Sequence, residues 1–108
     1  MSYEVLVVDE FKRNVKKLFK KYKFIKQDLL PLVSSLEKDA FIGTHLGSNI
    51  YKTRVKNSDL GGKSGGYRVV YYTHLPKNRI YLLTVFSKTQ KANINVKELQ
   101  PILKKIKD

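Results

Sequence analysis

The chain contains no cysteine and no tryptophan, and only two histidines. Without cysteine, neither a disulfide framework nor a thiolate zinc site can form, and the absence fits a reducing compartment. His45 and His74 stand alone, without HxxxH-type spacing or a nearby pair of carboxylates, so no metal and no cofactor is expected. Long apolar runs are also missing. Val5 to Val8 is flanked by acids instead of a basic leader, and nothing approaches the roughly 18 apolar residues of a membrane span. A soluble, cytoplasmic protein that does not touch membranes is the expectation. Acidic residues are scarce, nine against 22 Lys+Arg, which leaves a net charge of +13. So much like charge repels itself in a compact state and is expected to serve a polyanion. Nucleic acid comes first, because phosphate contacts release condensed counterions. An anionic membrane surface, an acidic protein, or simply a lysine-rich proteome are the alternatives.

What is present reads as one domain over residues 1–108. Tyr3 to Val8 is β-branched and strand-like. Phe11, Val15, Leu18, Phe19 and Tyr22 then recur at spacings of three and four, one helical face after an Asp9 cap, with lysines on the opposite flank. Ile25, Leu29, Leu32, Val33 and Leu36 predict a second helix, interrupted or opened by Pro31. Asp39 to Asn49 reads as loop. Three strands are predicted at Ile50 to Lys56, Tyr67 to His74 and Arg79 to Ser87, the last two joined by a turn at Leu75 to Asn78. The linker NSDLGGKSGG is too glycine-rich to be regular, and a mobile or ligand-shaped loop is expected. Asn95 can cap a last helix carrying Val96, Leu99, Ile102 and Ile106. The order β-α-α-β-β-β-α predicts an α+β fold: a small antiparallel sheet, an N-terminal helical hairpin and a C-terminal helix, with the helices on one face.

The strands carry an unusual load. Lys52, Arg54 and Lys56 alternate with Tyr51, Thr53 and Val55 and so share one face. Lys63 lies in the glycine loop, Arg68 opens the next strand, and Lys88 and Lys91 follow the last. If the strands are adjacent, these cations converge on one rigid patch suited to a phosphate. If not, they are a solvated face; spacing alone leaves both open. KSGGYR is not a phosphate-binding P-loop, since it lacks GxxxxGK[ST] and precedes a strand.

IYKTRV, KSGGYRVVYY and IYLLTVFSKTQK, with the helical pair before them and the helix after, resemble the RelE/ParE superfamily of toxin–antitoxin toxins. The nearest likeness is to its RelE- and HigB-type ribosome-dependent mRNA interferases, and it covers nearly the whole chain. The resemblance implies a metal-independent endoribonuclease that cuts mRNA on the ribosome, where the nucleotide's own 2′-OH attacks the adjacent phosphate. It implies catalytic roles for Lys52, Arg54, Arg68 and Lys88, with Arg68, the arginine of "GYR", foremost at the transition state. Lys56, Lys63 and Lys91 are expected to bind substrate, and Tyr67 and Tyr72 either to offer a hydroxyl or a stacking platform for a base or simply to pack the sheet. The resemblance also implies a cognate antitoxin partner with a DNA-binding domain, besides ribosome and mRNA. RelE's late tyrosine is missing, since Asn93-Ile94-Asn95 stands in its neighbourhood, and Thr89 replaces an arginine. Proton transfer then falls to a lysine in the cation cluster, Lys63 or Lys88. A ParE-like toxin without nuclease activity and a plain basic nucleic-acid-binding module are the competing readings.

Overall fold

The structure, a computed structural model, describes residues 2–61, 65–90 and 93–106. The chain runs β1 (Glu4–Val7), α1 (Asp9–Phe19), α2 (Ile25–Lys38), β2 (Thr44–Gly47), β3 (Ile50–Val55), β4 (Tyr67–His74), β5 (Arg79–Ser87) and α3 (Gln100–Leu103). The strands form one sheet in the order β1-β5-β4-β3-β2. The α+β class is as expected, with differences in detail. β1 joins β5 in parallel, fastened by Glu4 to Arg79 at 3.2 Å, so the sheet is mixed. Thr44–Gly47, read as loop, is an edge strand that turns into β3 through Ser48 and Asn49, both at positive φ. The C-terminal helix is short: a 3-10 turn at Val96–Leu99, capped by the Asn95 side chain as expected, leads into α3.

Helical spacing puts Phe11, Leu18 and Tyr22 beside Ile25, Leu29, Leu32 and Leu36, all buried against one face of the sheet. Val55, Tyr67, Val69, Tyr71, Ile80 and Leu82 meet them there. Asp9 is the first helical residue instead of the cap, and with Glu10 it sets negative charge at the positive end of the helix dipole. Phe19 remains 37% exposed. Pro31 stands inside α2 on its exposed side.

Part of the opposite face is apolar, at Ile50, Val70, Tyr81, Leu83 and Phe86. The C-terminal segment covers this part through Leu99, Ile102 and Ile106. The helices therefore do not share one face: an apolar second face needs its own cover.

A β-bulge in β5 sets what each face carries. Pairing passes from Val70↔Thr84 to Tyr71↔Leu82 and leaves Leu83 without a partner. Leu82 and Val85 then both lie on the helix side, while Leu83 and Phe86 both lie on the other. The Asn14 side-chain carbonyl on α1 accepts from the Val85 amide (3.1 Å) and the Thr84 hydroxyl (2.7 Å), so the irregular backbone keeps a partner.

Candidate active site

Ile50 is buried on the face away from α1 and α2, so the two-residue period carries Lys52 and Arg54 to that face as well. Lys52 pairs with Val70, and Arg54 directly faces Arg68 across the ladder. Like charges so placed oppose strand pairing. Lys52, Arg54, Arg68 and Lys88 together line one hollow of about 550 Å³, rimmed by Ile42, Gly43 and Thr44. The structure thus brings together all four residues expected to be catalytic.

Arg68 is 6% exposed. Its guanidinium donates to the carbonyls of Gly65 and, at 3.3 Å, of Tyr67. Burial, and next the charge of Arg54, lowers its pKa. A guanidinium nonetheless keeps its proton. Among the described residues no carboxylate pairs with any of the four cations. Backbone dipoles hold a desolvated charge that an incoming anion would compensate.

Two glycines make room for this arrangement. Gly65 and Gly66 have φ of 52° and 55°, where side chains are disfavoured. A Cβ on Gly65 would run into the Lys88 stem, 2.8 Å from its Cβ, and one on Gly66 would strike the Val55 carbonyl. The Lys88 amide donates to the Gly66 carbonyl at 3.2 Å, which ties the end of β5 to the start of β4. On the far rim the Tyr71 hydroxyl accepts from the Gly43 amide (3.0 Å) and donates to the Ala40 carbonyl (3.1 Å), fixing that wall from the core. Lys52 Nζ donates to Asn93 Oδ1 at 3.2 Å. The Gly43 rim and Asn93 were missed from the sequence, although the glycines of the supposed loop were the available signal.

The loop after β3 is clasped at its start. Asp59 accepts from the Lys23 and Phe24 amides at the head of α2, and Asp28 accepts from the amide and hydroxyl of Ser58. Lys56, expected at the substrate, points to a neighbouring groove against α2. Tyr67 is fully buried on the helix side, its ring edge-on to Tyr22 at 5.8 Å, and burial raises its hydroxyl pKa. It is a core residue and offers neither a platform nor a hydroxyl to the hollow, because period two sets it opposite Arg68. Tyr72 is half-buried on the correct face but beyond Val70, stacked on Tyr81 and bonded to His74, so it does not line the hollow. Lys63 and Lys91 lie outside the described residues.

The hollow has the chemistry of an anion site: rigid strands present fixed cations, one of them almost dry. Two comparisons bear on what kind of protein carries it. A family model described as the RelE toxin of the RelE / RelB toxin-antitoxin system matches residues 10–107. Among solved structures, E. coli toxin RelE in the free state, with two arginines mutated to alanine, aligns with a TM-score of 0.64. That alignment covers 98% of this chain and 100% of the other at 17% identity, a likeness of fold. With the family model spanning nearly its whole length, this chain belongs to the RelE toxin family.

Proposed function

We propose that the protein is the toxin of a type II toxin–antitoxin pair and cleaves mRNA on the ribosome, held in check by a cognate antitoxin. One observation carries the reading: Lys52, Arg54, Arg68 and Lys88 share a single hollow, with no described carboxylate paired to any of them. The 2′-oxygen attacks the adjacent phosphorus and the bond to the 5′-oxygen breaks, leaving a cyclic phosphate and a 5′-hydroxyl. Negative charge grows on the phosphate oxygens as this happens, and Arg68 and Arg54 stabilise it from fixed positions. Arginines keep their protons, so proton movement falls to lysines: Lys88 as the neutral amine takes the proton from O2′, and Lys52 as the ammonium gives one to O5′. Lys56, just past the end of β3, adds positive charge in the neighbouring groove against α2.

The test is cleavage of a short message on programmed ribosomes and in its free form. Cuts are expected on the ribosome, slowed about 10²–10³-fold by Arg68→Ala. Full activity in that variant would remove Arg68 from the site. Growth arrest without codon-linked cuts by primer extension would favour a ParE-like toxin that is no nuclease. Salt-sensitive RNA binding without arrest would leave a basic binding module.

A further inference from the structure

The turn after β5 carries a knot of side-chain hydrogen bonds that the phosphate chemistry does not itself require. Ser87 is fully buried, while Lys88, Thr89 and Gln90 are exposed. The Ser87 and Thr89 hydroxyls lie 2.8 Å apart, and the Thr89 amide donates to Ser87 Oγ at 3.2 Å. Gln90 closes a second ring. Its Oε1 accepts from the Ser87 amide at 3.0 Å, and its amide donates to the Ser87 carbonyl at 2.9 Å. Ser87 is the cross-strand partner of Tyr67 and so shares its face, the helix side, where the Tyr22 ring meets that of Tyr67. The buried Tyr22 phenol joins the knot: the hydroxyls of Thr89 and then Ser87 lower its pKa. Between the two tied residues stands Lys88. Its stem lies against Gly65, whose carbonyl accepts from the Arg68 guanidinium.

We propose that Tyr22, Ser87 and Thr89 are positioning residues for Lys88, holding from the helix side the backbone on which its amine reaches the cationic hollow. This rests on the proposed cleavage of RNA with Lys88 as the base. A lysine has a long flexible stem, so its amine is placed only as well as the backbone beneath it. Misplacing a reacting group by about 1 Å can cost about 100-fold in rate. Hydroxyls suit the task, because serine and threonine bond to the backbone of their own turn. Tyr22 ties that turn to the packed core. From the other side the Lys88 amide donates to the Gly66 carbonyl, so the start of β4 and the end of α1 grip the same residue.

The test is a double-mutant cycle read by single-turnover cleavage at saturating programmed ribosomes, with ribosome affinity and melting temperature measured for every protein. Thr89→Val, at an exposed position, keeps the shape and removes the hydroxyl; Tyr22→Phe does the same from the core. Each is expected to slow cleavage about ten- to a hundredfold with affinity unchanged, and Thr89→Ser to restore most of the rate. Against the residual cleavage of Lys88→Ala, neither should slow the reaction further, because the amine they aim is gone. Where that residue of activity is too small to measure, the split between rate and stability decides alone. Equal slowing in both backgrounds, a melting temperature or affinity that falls in step with the rate, or full activity of both variants would overturn the proposal. Cleavage by the wild type separates the two ideas: it sustains the ribonuclease whatever the cycle shows, and its absence removes both.

Discussion

Tyr67 and Arg68 are neighbours on β4 and both are buried, yet they answer to different demands. Tyr67 faces α1 and α2, in the core they close, with the Tyr22 ring edge-on to its own. Arg68 faces the other way, opposite Arg54, with backbone carbonyls as its partners. On the helix side burial is repaid by packing. On the other side the same ladder holds like charges together, an arrangement that costs stability and that a bound anion would relieve. Substitutions on the two faces should therefore separate stability from activity.

Leu36→Ala, fully buried on the helix side, should remove about 2–5 kcal/mol of stability. Cleavage per folded molecule should stay unchanged; denaturant unfolding beside single-turnover cleavage checks both. Arg68→Ala should do the reverse, slowing cleavage by about 2.7–4 kcal/mol of barrier while the melting temperature holds or rises. A cleaving but unstable Arg68→Ala protein would make the arginine structural and dissolve the contrast. Asn14→Leu links the faces, because Asn14 holds the bulge from the helix side. Leaving the Val85 amide unpaired should cost about 1–3 kcal/mol and also slow cleavage, with thermal melts and the ribosome assay as readouts. The smallest effect belongs to Tyr67→Phe. Its hydroxyl finds no hydrogen-bond partner among the described residues, so stability at neutral pH should stay within about 0.5 kcal/mol of wild type.

Alkaline unfolding sharpens that last case. Burial raises the hydroxyl pKa of both Tyr67 and Tyr71, that of Tyr71 to about 12. A raised tyrosine pKa means stability is complete below the ordinary value near 10 and falls as pH climbs through the folded value. Tyr67→Phe should lose less stability than wild type between about pH 10 and 12, measured by circular dichroism.

Much of this was legible in the residues. The three-and-four spacing from Phe11 to Tyr22 describes a helical face that the fold uses, Phe19 apart. The alternation of Lys52 and Arg54 places both cations on the face where they are found. Periodicity is local, however, and three features are not. The parallel pairing of β1 with β5 joins chain segments far apart. THLG shows no strand pattern and becomes β2 only because β3 offers an edge. The bulge hides within the unbroken run RIYLLTVFS. Tyr67 answers to a simpler rule: the two-residue period that places Arg68 in the hollow sets Tyr67 on the packed face, where sheet packing and not base stacking is its role.

The bulge also decides where the protein can lose a residue. A strand counts in twos, so shortening β5 by one residue normally exchanges everything beyond the cut between oil and water. With Thr84 gone, the count runs true from Ile80 to Phe86: Leu83 and Phe86 keep their side, Leu82 and Val85 keep theirs, and Lys88 stays with Arg68. The same loss at Val85, inside the regular stretch, would leave its place on the helix side to Thr84 and lose a core contact. Thr84 is thus the strand's spare letter, and Asn14 is what reads it.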